Sequence, residues 1–271
     1  MLIKINEITF DYRDQGAGQA LIFLHAFPLN QNMWNDQTTE LGNQYRTITL
    51  DLRGFGGSDA PQGPYLMDQM AADVRGLMTA LNIEQAVLVG LSMGGYISLA
   101  FLRNYPDAIL AMVLADTRAG ADTPEARGRR LKSAEKAETE GAAAIAAEVV
   151  PALLGATSLQ SRPGVVERVR EMVEVNSPVG IAGAQRGMAE RVDSTTVVAD
   201  IDFPVMVIVG AEDTLTPVAE AEKLRDRIPG ARLAIIEQAG HLSNIEQPDE
   251  FNTVLRQFID SLNISGKANN H

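Results

Sequence analysis

The sequence predicts a protein of the α/β class with a mostly parallel central sheet. Short apolar runs alternate with helical stretches up to about residue 117, and the alternation resumes at residue 201. Apolar runs of about four to eight residues, bounded by polar turns, are typical of strands that are buried on both faces. The third observation is a serine, Ser92, on a glycine-flanked turn between a strand-like run and a helical one.

The elements follow in order along the chain. Residues 1–7 alternate like a strand, and residues 21–24 form an early buried run. Further buried strands are predicted at residues 85–89, 109–115, 203–209 and 231–236. Helices are predicted over residues 95–104, from near Pro217 and from near Pro248.

The serine turn directly follows the strand predicted at residues 85–89. The pentapeptide Gly-Leu-Ser-Met-Gly at residues 90–94 places Ser92 between two glycines. A strand that reverses abruptly into a helix crowds its neighbouring backbone, and glycine avoids the collision. We interpret Ser92 as a nucleophile. The alternative is an ordinary turn in which a small serine fits.

A serine nucleophile needs a base, and the chain has three histidines. His271 ends a polar tail that we expect to be disordered, so it is a poor base. His25 closes an early strand, and we assign it a structural role. His241 lies on a late loop between a strand and a helix, where its imidazole can reach over the sheet edge. The predicted base is therefore His241.

An acid is needed to orient this imidazole and to stabilise the imidazolium that forms during reaction. Asp213 follows the buried run at residues 203–209, and the chain order serine, acid, histidine favours it. Glu212 beside it and Asp116, which follows another strand, are alternatives. Asp213 could also serve only as a cap on the helix that starts near Pro217.

The sequence resembles the α/β-hydrolase superfamily along almost its whole length. The segments that carry the resemblance are residues 25–28, Trp34, residues 51–59, 90–95, 210–213 and 240–241. Within that superfamily it is similar to small serine esterases, to enol-lactone hydrolases of the 3-oxoadipate type and to cofactor-free haloperoxidases. The resemblance implies an α/β-hydrolase fold, with a sheet of about eight strands, helices on both faces and an inserted helical cap.

By the same resemblance, the backbone N–H groups of Phe27 and Met93 form an oxyanion hole, and neither a metal nor an organic cofactor is expected. Two fixed amide donors stabilise the charge that develops on the attacked carbonyl oxygen. Members of the superfamily usually carry His-Gly at this point, whereas this chain has Ala26 after His25. A positive φ at Ala26 would strain its Cβ, which leaves the shape of this turn open.

The alternation of strands and helices stops between residues 118 and 200, where the chain is helical, charged and rich in alanine. We interpret residues 118–200 as a cap inserted into a core formed by residues 1–117 and 201–265, with residues 266–271 as a disordered tail. The resemblance implies that the cap covers the serine and shapes the pocket. We interpret its charge run at residues 127–132 as a solvated face.

The glycine-rich loop at residues 51–59 lacks the spacing of a phosphate-binding loop. The resemblance implies a structural loop in which Arg53 and Asp59 brace a turn near the mouth of the site. Six side chains are candidates for the pocket lining, although large apolar side chains of this kind more often belong to the core: Phe27, Trp34, Met93, Leu154, Met172 and Met188.

Composition excludes several classes of protein. The net charge of −12 would repel nucleic acid. The apolar runs are shorter than the roughly 20 residues that a membrane-spanning helix needs, and the N-terminus lacks a signal-peptide core, so we expect a cytoplasmic protein without membrane partners. The absence of cysteine excludes disulfides and thiol catalysis. The oligomeric state stays open.

Together these features predict a serine hydrolase that cleaves carboxylic esters or lactones of small molecules through an acyl-serine intermediate. Two alternatives keep the same side chains: a perhydrolase or haloperoxidase, in which hydrogen peroxide replaces water, and a hydrolase of carbon–carbon bonds. A further alternative is a small-molecule receptor without enzymatic activity. The geometry of the pocket decides which acyl and alcohol groups fit.

Overall fold

The computed structural model describes residues 1–262, which contain one eight-stranded sheet. Its strands are β1 Leu2–Ile5, β2 Ile8–Gln15, β3 Ala20–Leu24, β4 Arg46–Leu50, β5 Ala86–Leu91, β6 Ile109–Ala115, β7 Val205–Gly210 and β8 Arg232–Ile236. Their order across the sheet is β1-β2-β4-β3-β5-β6-β7-β8. β2 pairs antiparallel with β1 and β4, and every other pair is parallel. The predicted α/β class with a mostly parallel sheet is confirmed.

Strands β3, β5, β6 and β7 consist of apolar residues and glycine along their whole length because both faces of the sheet are covered there. Every residue of β5 and of β7 is buried. β8 ends the sheet, and its first four residues are partly or fully exposed. The central strands therefore hold the site rigidly.

Helices flank the sheet and fill the connections between strands. They are α1 Asn35–Leu41, α2 Met67–Ala80, α3 Met93–Asn104, α4 Pro124–Leu153, α5 Ala156–Ser161, α6 Pro163–Glu174, α7 Pro178–Ala189, α8 Val218–Arg227, α9 Ser243–Glu246 and α10 Pro248–Ser261. α10 buries Phe251, Leu255 and Phe258, whose spacing places them on one face of the helix. The helix starts predicted near residues 217 and 248 agree with α8 and α10.

The four helices α4 to α7 lie between β6 and β7, and the described residues 116–204 contain no strand. α4 is interrupted at Gly141, which has a φ of 84° and is not helical. An ion pair of 2.8 Å between Lys136 and Glu148 joins the segments before and after this break. This region coincides with the predicted insertion, and the division into core and cap stays a prediction. The predicted tail at residues 266–271 lies outside the described residues.

The parallel strands direct several functional candidates to one edge of the sheet. Ser92 follows β5, Asp116 follows β6, Asp213 lies beyond β7, and His241 lies on the loop after β8. The carboxyl ends of parallel strands meet at the same edge, which is where ligands bind in open α/β sheets. Within residues 1–262, no helix is long and apolar enough to cross a membrane.

Candidate active site

Ser92 sits on a strained turn between β5 and α3. Its φ of 53° and ψ of −108° lie where residues with a side chain are uncommon. A Cβ at position 90 would approach the carbonyl oxygen of Gly94 to 2.4 Å, and one at position 94 would approach that of Leu24 to 2.0 Å. Both glycines are therefore required for the close contacts of this turn, as the sequence predicted.

Neighbouring strands hold the strained turn in place. The Ser92 N–H donates to the carbonyl of Ala115, at the end of β6, over 2.9 Å. The Ser92 carbonyl accepts a hydrogen bond of 2.9 Å from the hydroxyl of Thr117. Strain of this kind persists only where the surroundings over-determine it. These bonds hold the backbone of Ser92, whose hydroxyl contacts His241 on the loop after β8.

The structure brings Ser92, His241 and Asp213 together. Nε2 of His241 lies 2.8 Å from Oγ of Ser92, and Nδ1 lies 2.8 Å from Oδ2 of Asp213. All three side chains are buried. An ionised carboxylate accepts only, so Nδ1 carries a proton and Nε2 is free to accept from the Ser92 hydroxyl. This is the tautomer that a base acting on Ser92 requires.

Several hydrogen bonds hold the Asp213 carboxylate. Oδ1 accepts from the N–H groups of Leu215 and Thr216 at 2.8 and 3.0 Å, and Oδ2 accepts from the Thr216 hydroxyl at 2.6 Å. Burial alone would raise the pKa of Asp213, but the attraction of His241 and these hydrogen bonds outweigh it and lower the pKa. Asp213 thus caps the following turn and faces the imidazole as an anion.

The two other candidate acids have different partners. Oδ1 of Asp116 accepts from the Gly210 N–H at 2.8 Å, and its Oδ2 lies 2.5 Å from the hydroxyl of Ser243. Burial and the neighbouring carboxylate of Asp213 raise the pKa of Asp116 well above its usual value. Glu212 binds the hydroxyl and the N–H of Thr157 at 2.5 and 2.8 Å. Of the three acids, Asp213 is the one in contact with the imidazole of residue 241.

His25 is completely buried, and its ring nitrogens bind backbone groups. Its Nδ1 donates to the carbonyl of Ala26 at 2.9 Å, and its Nε2 accepts from the N–H of Leu52 at 3.0 Å. Burial lowers the pKa of His25 to about 4, only partly opposed by the bond to Ala26. His25 therefore connects the end of β3 to the loop after β4 as a neutral ring.

The two residues predicted to supply an oxyanion hole, Phe27 and Met93, lie close to Ser92 in the cavity lining and in the chain, respectively. Met93 is the first residue of α3, so its N–H has no partner within that helix. Phe27 lies in the turn after β3 and lines the cavity above Ser92. Ala26 is not among the described residues with positive φ, so its methyl group adds no backbone strain. The turn shape that the sequence left open is compatible with alanine.

A cavity of about 530 Å³ opens above the serine. Its lining includes Ser92, His241 and Phe27 together with residues of α4 and α7. Of the six side chains predicted as candidates for the lining, only Phe27 and Met188 line this cavity.

The other four predicted pocket residues belong to the core. Trp34 is fully buried and packs against Phe23 at a ring-centroid distance of 5.2 Å. Met93, Leu154 and Met172 are also buried and are absent from the cavity lining. The large apolar residues of this chain fill space between elements, in keeping with their general preference.

Sequence reasoning missed a group of charged side chains in the cavity wall. Asp122 binds three arginines through its two oxygens: Arg118 at 2.9 Å, Arg130 at 2.5 Å and Arg191 at 2.7 Å. We call these four residues the arginine cluster. Arg118, Asp122 and Arg130 line the cavity. The interpretation of the charge run at residues 127–132 as a solvated face was therefore wrong for Arg130.

The loop at residues 51–59 is built around Asp51, which accepts from the N–H groups of Gln31 and Gly57 at 2.8 Å each. Asp59 braces it against β2 by accepting from the Thr9 N–H at 2.7 Å. Arg53 instead forms a buried two-point ion pair with Asp73 of α2, at 2.6 and 2.7 Å. The loop is held by hydrogen bonds to neighbouring elements, and Arg53 ties it to α2.

Comparison with known proteins finds relatives along nearly the whole chain. The family model described as the alpha/beta hydrolase fold matches residues 19–248. 3-Oxoadipate enol-lactonase 2 from Acinetobacter baylyi is 31% identical over 261 residues, which cover 96% of this chain and 95% of the relative.

Solved structures give the same picture. A thermophilic esterase from Thermogutta terrifontis, solved with malate bound, is 38% identical, with a TM-score of 0.95 over 97% of this chain and 99% of the esterase. The enol-lactonase from Burkholderia xenovorans LB400 is 31% identical, with a TM-score of 0.90 over 96% of this chain and 100% of that enzyme. The eight-stranded sheet, the family match and these neighbours agree, and the chain belongs to the α/β-hydrolase family.

Proposed function

We propose that this protein is a serine hydrolase that cleaves small carboxylic esters or lactones through an acyl-serine intermediate. The observation that carries the proposal is the chain of two 2.8 Å contacts from Asp213 through His241 to Ser92. Relatives that are named esterase and enol-lactonase support the choice of ester or lactone as substrate.

In the first half of the reaction, His241 Nε2 takes the proton of Ser92 as Oγ attacks the acyl carbon. The imidazolium that results is stabilised by the carboxylate of Asp213. When the tetrahedral intermediate collapses, the carbon–oxygen bond to the alcohol breaks and the alcohol takes the proton from Nε2. In a lactone, the released hydroxyl stays attached to the acyl group.

In the second half, a water molecule loses its proton to His241 as its oxygen attacks the acyl-serine. Collapse of this second intermediate releases the acid and returns the proton to Ser92. The N–H groups of Phe27 and Met93 stabilise both oxyanions in this scheme, and loss of one such donor typically costs about 3 kcal/mol. The helices between β6 and β7 act as a cap that limits access of water to the cavity.

The test is hydrolysis of short p-nitrophenyl esters and simple lactones by the wild-type chain and by Ser92→Ala. We expect turnover by the wild type and a loss of about 10³-fold or more in kcat for the variant. Ser98→Ala is a matched control, because Ser98 is a buried serine of α3 whose hydroxyl only donates to the carbonyl of Gly94. Equal turnover by Ser92→Ala and the wild type would refute the proposal.

A fluorophosphonate probe tests the nucleophile independently of the choice of substrate. It should label the wild type and Ser98→Ala but not Ser92→Ala. Parallel assays with added hydrogen peroxide measure the peracid. If more peracid than carboxylic acid forms, the protein is a perhydrolase that uses the same three residues.

A further inference from the structure

We infer that Arg118 and Arg130 bind a carboxylate of the substrate, so that the preferred esters or lactones carry a second, ionised acid group. This inference rests on the proposed function and specifies the substrate class of the same cavity. It starts from the arginine cluster, which the proposed reaction does not use.

The arginine cluster carries more positive than negative charge. Its single carboxylate, Asp122, is almost completely buried, with 1% of its side chain exposed, and faces three guanidinium groups. Glu148, the other acid in the cavity lining, already pairs with Lys136 at 2.8 Å. A partly desolvated excess of positive charge attracts an anion, here in a chain whose net charge is −12.

The two arginines of the arginine cluster that line the cavity, Arg118 and Arg130, keep free hydrogen-bond donors. Within the described residues, Arg118 binds Asp122 through Nη2, and its buried Nε has no partner. Arg130 uses Nε on Asp122 and Nη1 on Gln185. Both side chains line the cavity and are partly exposed, 29% for Arg118 and 19% for Arg130.

The surroundings fix these guanidinium groups before any ligand arrives. Asp122 binds both guanidinium groups, and Gln185 of α7 accepts a hydrogen bond from Nη1 of Arg130 at 3.1 Å. Arg191, the third partner of Asp122, stacks on the ring of Tyr96 at 4.3 Å. A guanidinium held in this way loses little conformational freedom on binding, and its planar donors match a carboxylate in two-point geometry.

The same cavity is lined by Ser92 and by the arginines. A substrate whose acyl group reaches the serine can therefore place a second group against the cluster. The cavity has a volume of about 530 Å³, which falls in the range of small-molecule sites, roughly 300–1,000 Å³. The carboxylate can belong to the acyl part or to the alcohol part of the ester, and the experiment separates the two.

The first experiment uses the wild-type protein and two matched pairs of esters. Mono-p-nitrophenyl adipate against p-nitrophenyl hexanoate places the charge on the acyl side. 4-Carboxyphenyl butyrate against 4-carbamoylphenyl butyrate places it on the alcohol side. With rates corrected for alkaline hydrolysis, we expect kcat/KM for the charged member of at least one pair to be about tenfold to a hundredfold higher.

Variants then test the residues. Arg118→Gln and Arg130→Gln should each lower the ratio of charged to neutral kcat/KM about tenfold, mainly through KM, and Arg130→Lys should lower it less. Arg127→Gln is the control, because Arg127 is an exposed residue of α4, the helix that also carries Arg130, and pairs with Glu190 at the surface. Inhibition by adipate, compared with adipamide, should weaken in the same order.

The outcomes separate this inference from the proposed function. Hydrolysis of neutral esters with no preference for the charged member of either pair overturns the inference alone. A ratio that falls as much in Arg127→Gln as in Arg118→Gln and Arg130→Gln also overturns it. A protein that hydrolyses neither charged nor neutral esters contradicts the proposed function itself. Because the wild-type preference needs no variant, poor folding of an arginine variant leaves the test intact.

Discussion

Oδ2 of Asp116 lies 2.5 Å from the hydroxyl of Ser243, two residues beyond His241 in the chain. The other oxygen of Asp116 accepts from Gly210, the last residue of β7, at 2.8 Å. This carboxyl group thus connects the ends of β6 and β7 to the loop that carries the histidine. Asp213 lies beyond the end of β7 and faces the imidazole directly. Asp116 therefore binds Gly210 and Ser243, whereas Asp213 contacts the imidazole of His241.

Substitution of each acid by asparagine should separate these roles. We expect Asp213→Asn to lower kcat by roughly 10⁴-fold, because an amide that donates to Nδ1 forces the proton of His241 onto Nε2. Asp116→Asn keeps an acceptor for Gly210 and a donor for Ser243, so it should lower kcat by less than about tenfold. Steady-state kinetics on one p-nitrophenyl ester, with circular dichroism to verify folding, make the comparison. Equal losses in the two variants would contradict the assignment of Asp213.

Asp116 should also shape the pH dependence of stability. Burial and the charge of Asp213 raise its pKa well above the usual value, so the folded chain holds a proton that the unfolded chain has lost. The contribution of Asp116 to the stability of the wild type therefore decreases as pH rises from about 4 towards the raised pKa, and Asp116→Asn, which cannot ionise, escapes this loss.

Urea denaturation at several pH values measures this effect. The stability of Asp116→Asn relative to the wild type should increase as the pH is raised. Asp116→Ala is the control, since it leaves the N–H of Gly210 and the hydroxyl of Ser243 unpaired, at a cost of about 1–3 kcal/mol each. A constant difference between wild type and Asp116→Asn at all pH values would show that Asp116 ionises normally.

The sheet and the three site residues could be predicted from the sequence because each of them depends on a short-range pattern. An apolar run followed by a glycine-flanked serine marks a strand end, and parallel strands bring such ends to one edge. The choice among acids is harder, since Asp116 and Asp213 both follow buried strands. Only the course of the loop after each strand decides which of them reaches His241.

The arginine cluster illustrates what a single sequence does not reveal. Arg130 lies in a charged run that is typical of a solvated helix face. The direction of the Arg130 side chain depends on how α4 packs against α7, a long-range property that leaves no local signal in the sequence. Asp122, eight residues earlier, precedes α4, and its pairing with Arg191 depends on where the chain returns after α7. Long-range packing therefore decides the character of the cavity wall.

The turn that carries Ser92 should tolerate no side chain at position 94. In Gly94→Ala the added Cβ would lie 2.0 Å from the backbone oxygen of Leu24, and neither backbone can move without disturbing the sheet. We expect a loss of about 3 kcal/mol or more in the free energy of unfolding. Thermal or urea unfolding measures this loss.

Gly128→Ala is the matched substitution for that experiment. Gly128 lies inside α4, and within residues 1–262 an added Cβ would meet no atom within 4 Å apart from its chain neighbours and the backbone of its own helix, so alanine should stabilise the helix by roughly 0.5–1 kcal/mol. Opposite signs for the two variants are the expected result. A Gly94→Ala protein as stable as the wild type would contradict the close packing of the turn.

His25 should make the fold sensitive to mild acid. Burial lowers its pKa to about 4 from the ordinary 6.5, so between these values the ring is neutral in the folded chain and protonated in the unfolded one. The unfolded state then binds more protons, and the contribution of His25 to stability falls by about 3 kcal/mol as pH drops from 6.5 to about 4.

His25→Gln cannot titrate, so its stability should change less over the same interval. The variant should be less stable than the wild type near neutral pH, because it loses the well-aligned hydrogen bond from the N–H of Leu52. This difference in stability should become smaller as the pH is lowered. Urea denaturation across the interval measures the shrinkage, and NMR titration of the ring measures its pKa. A ring that titrates near 6.5 in the folded protein would contradict the buried, neutral state of His25.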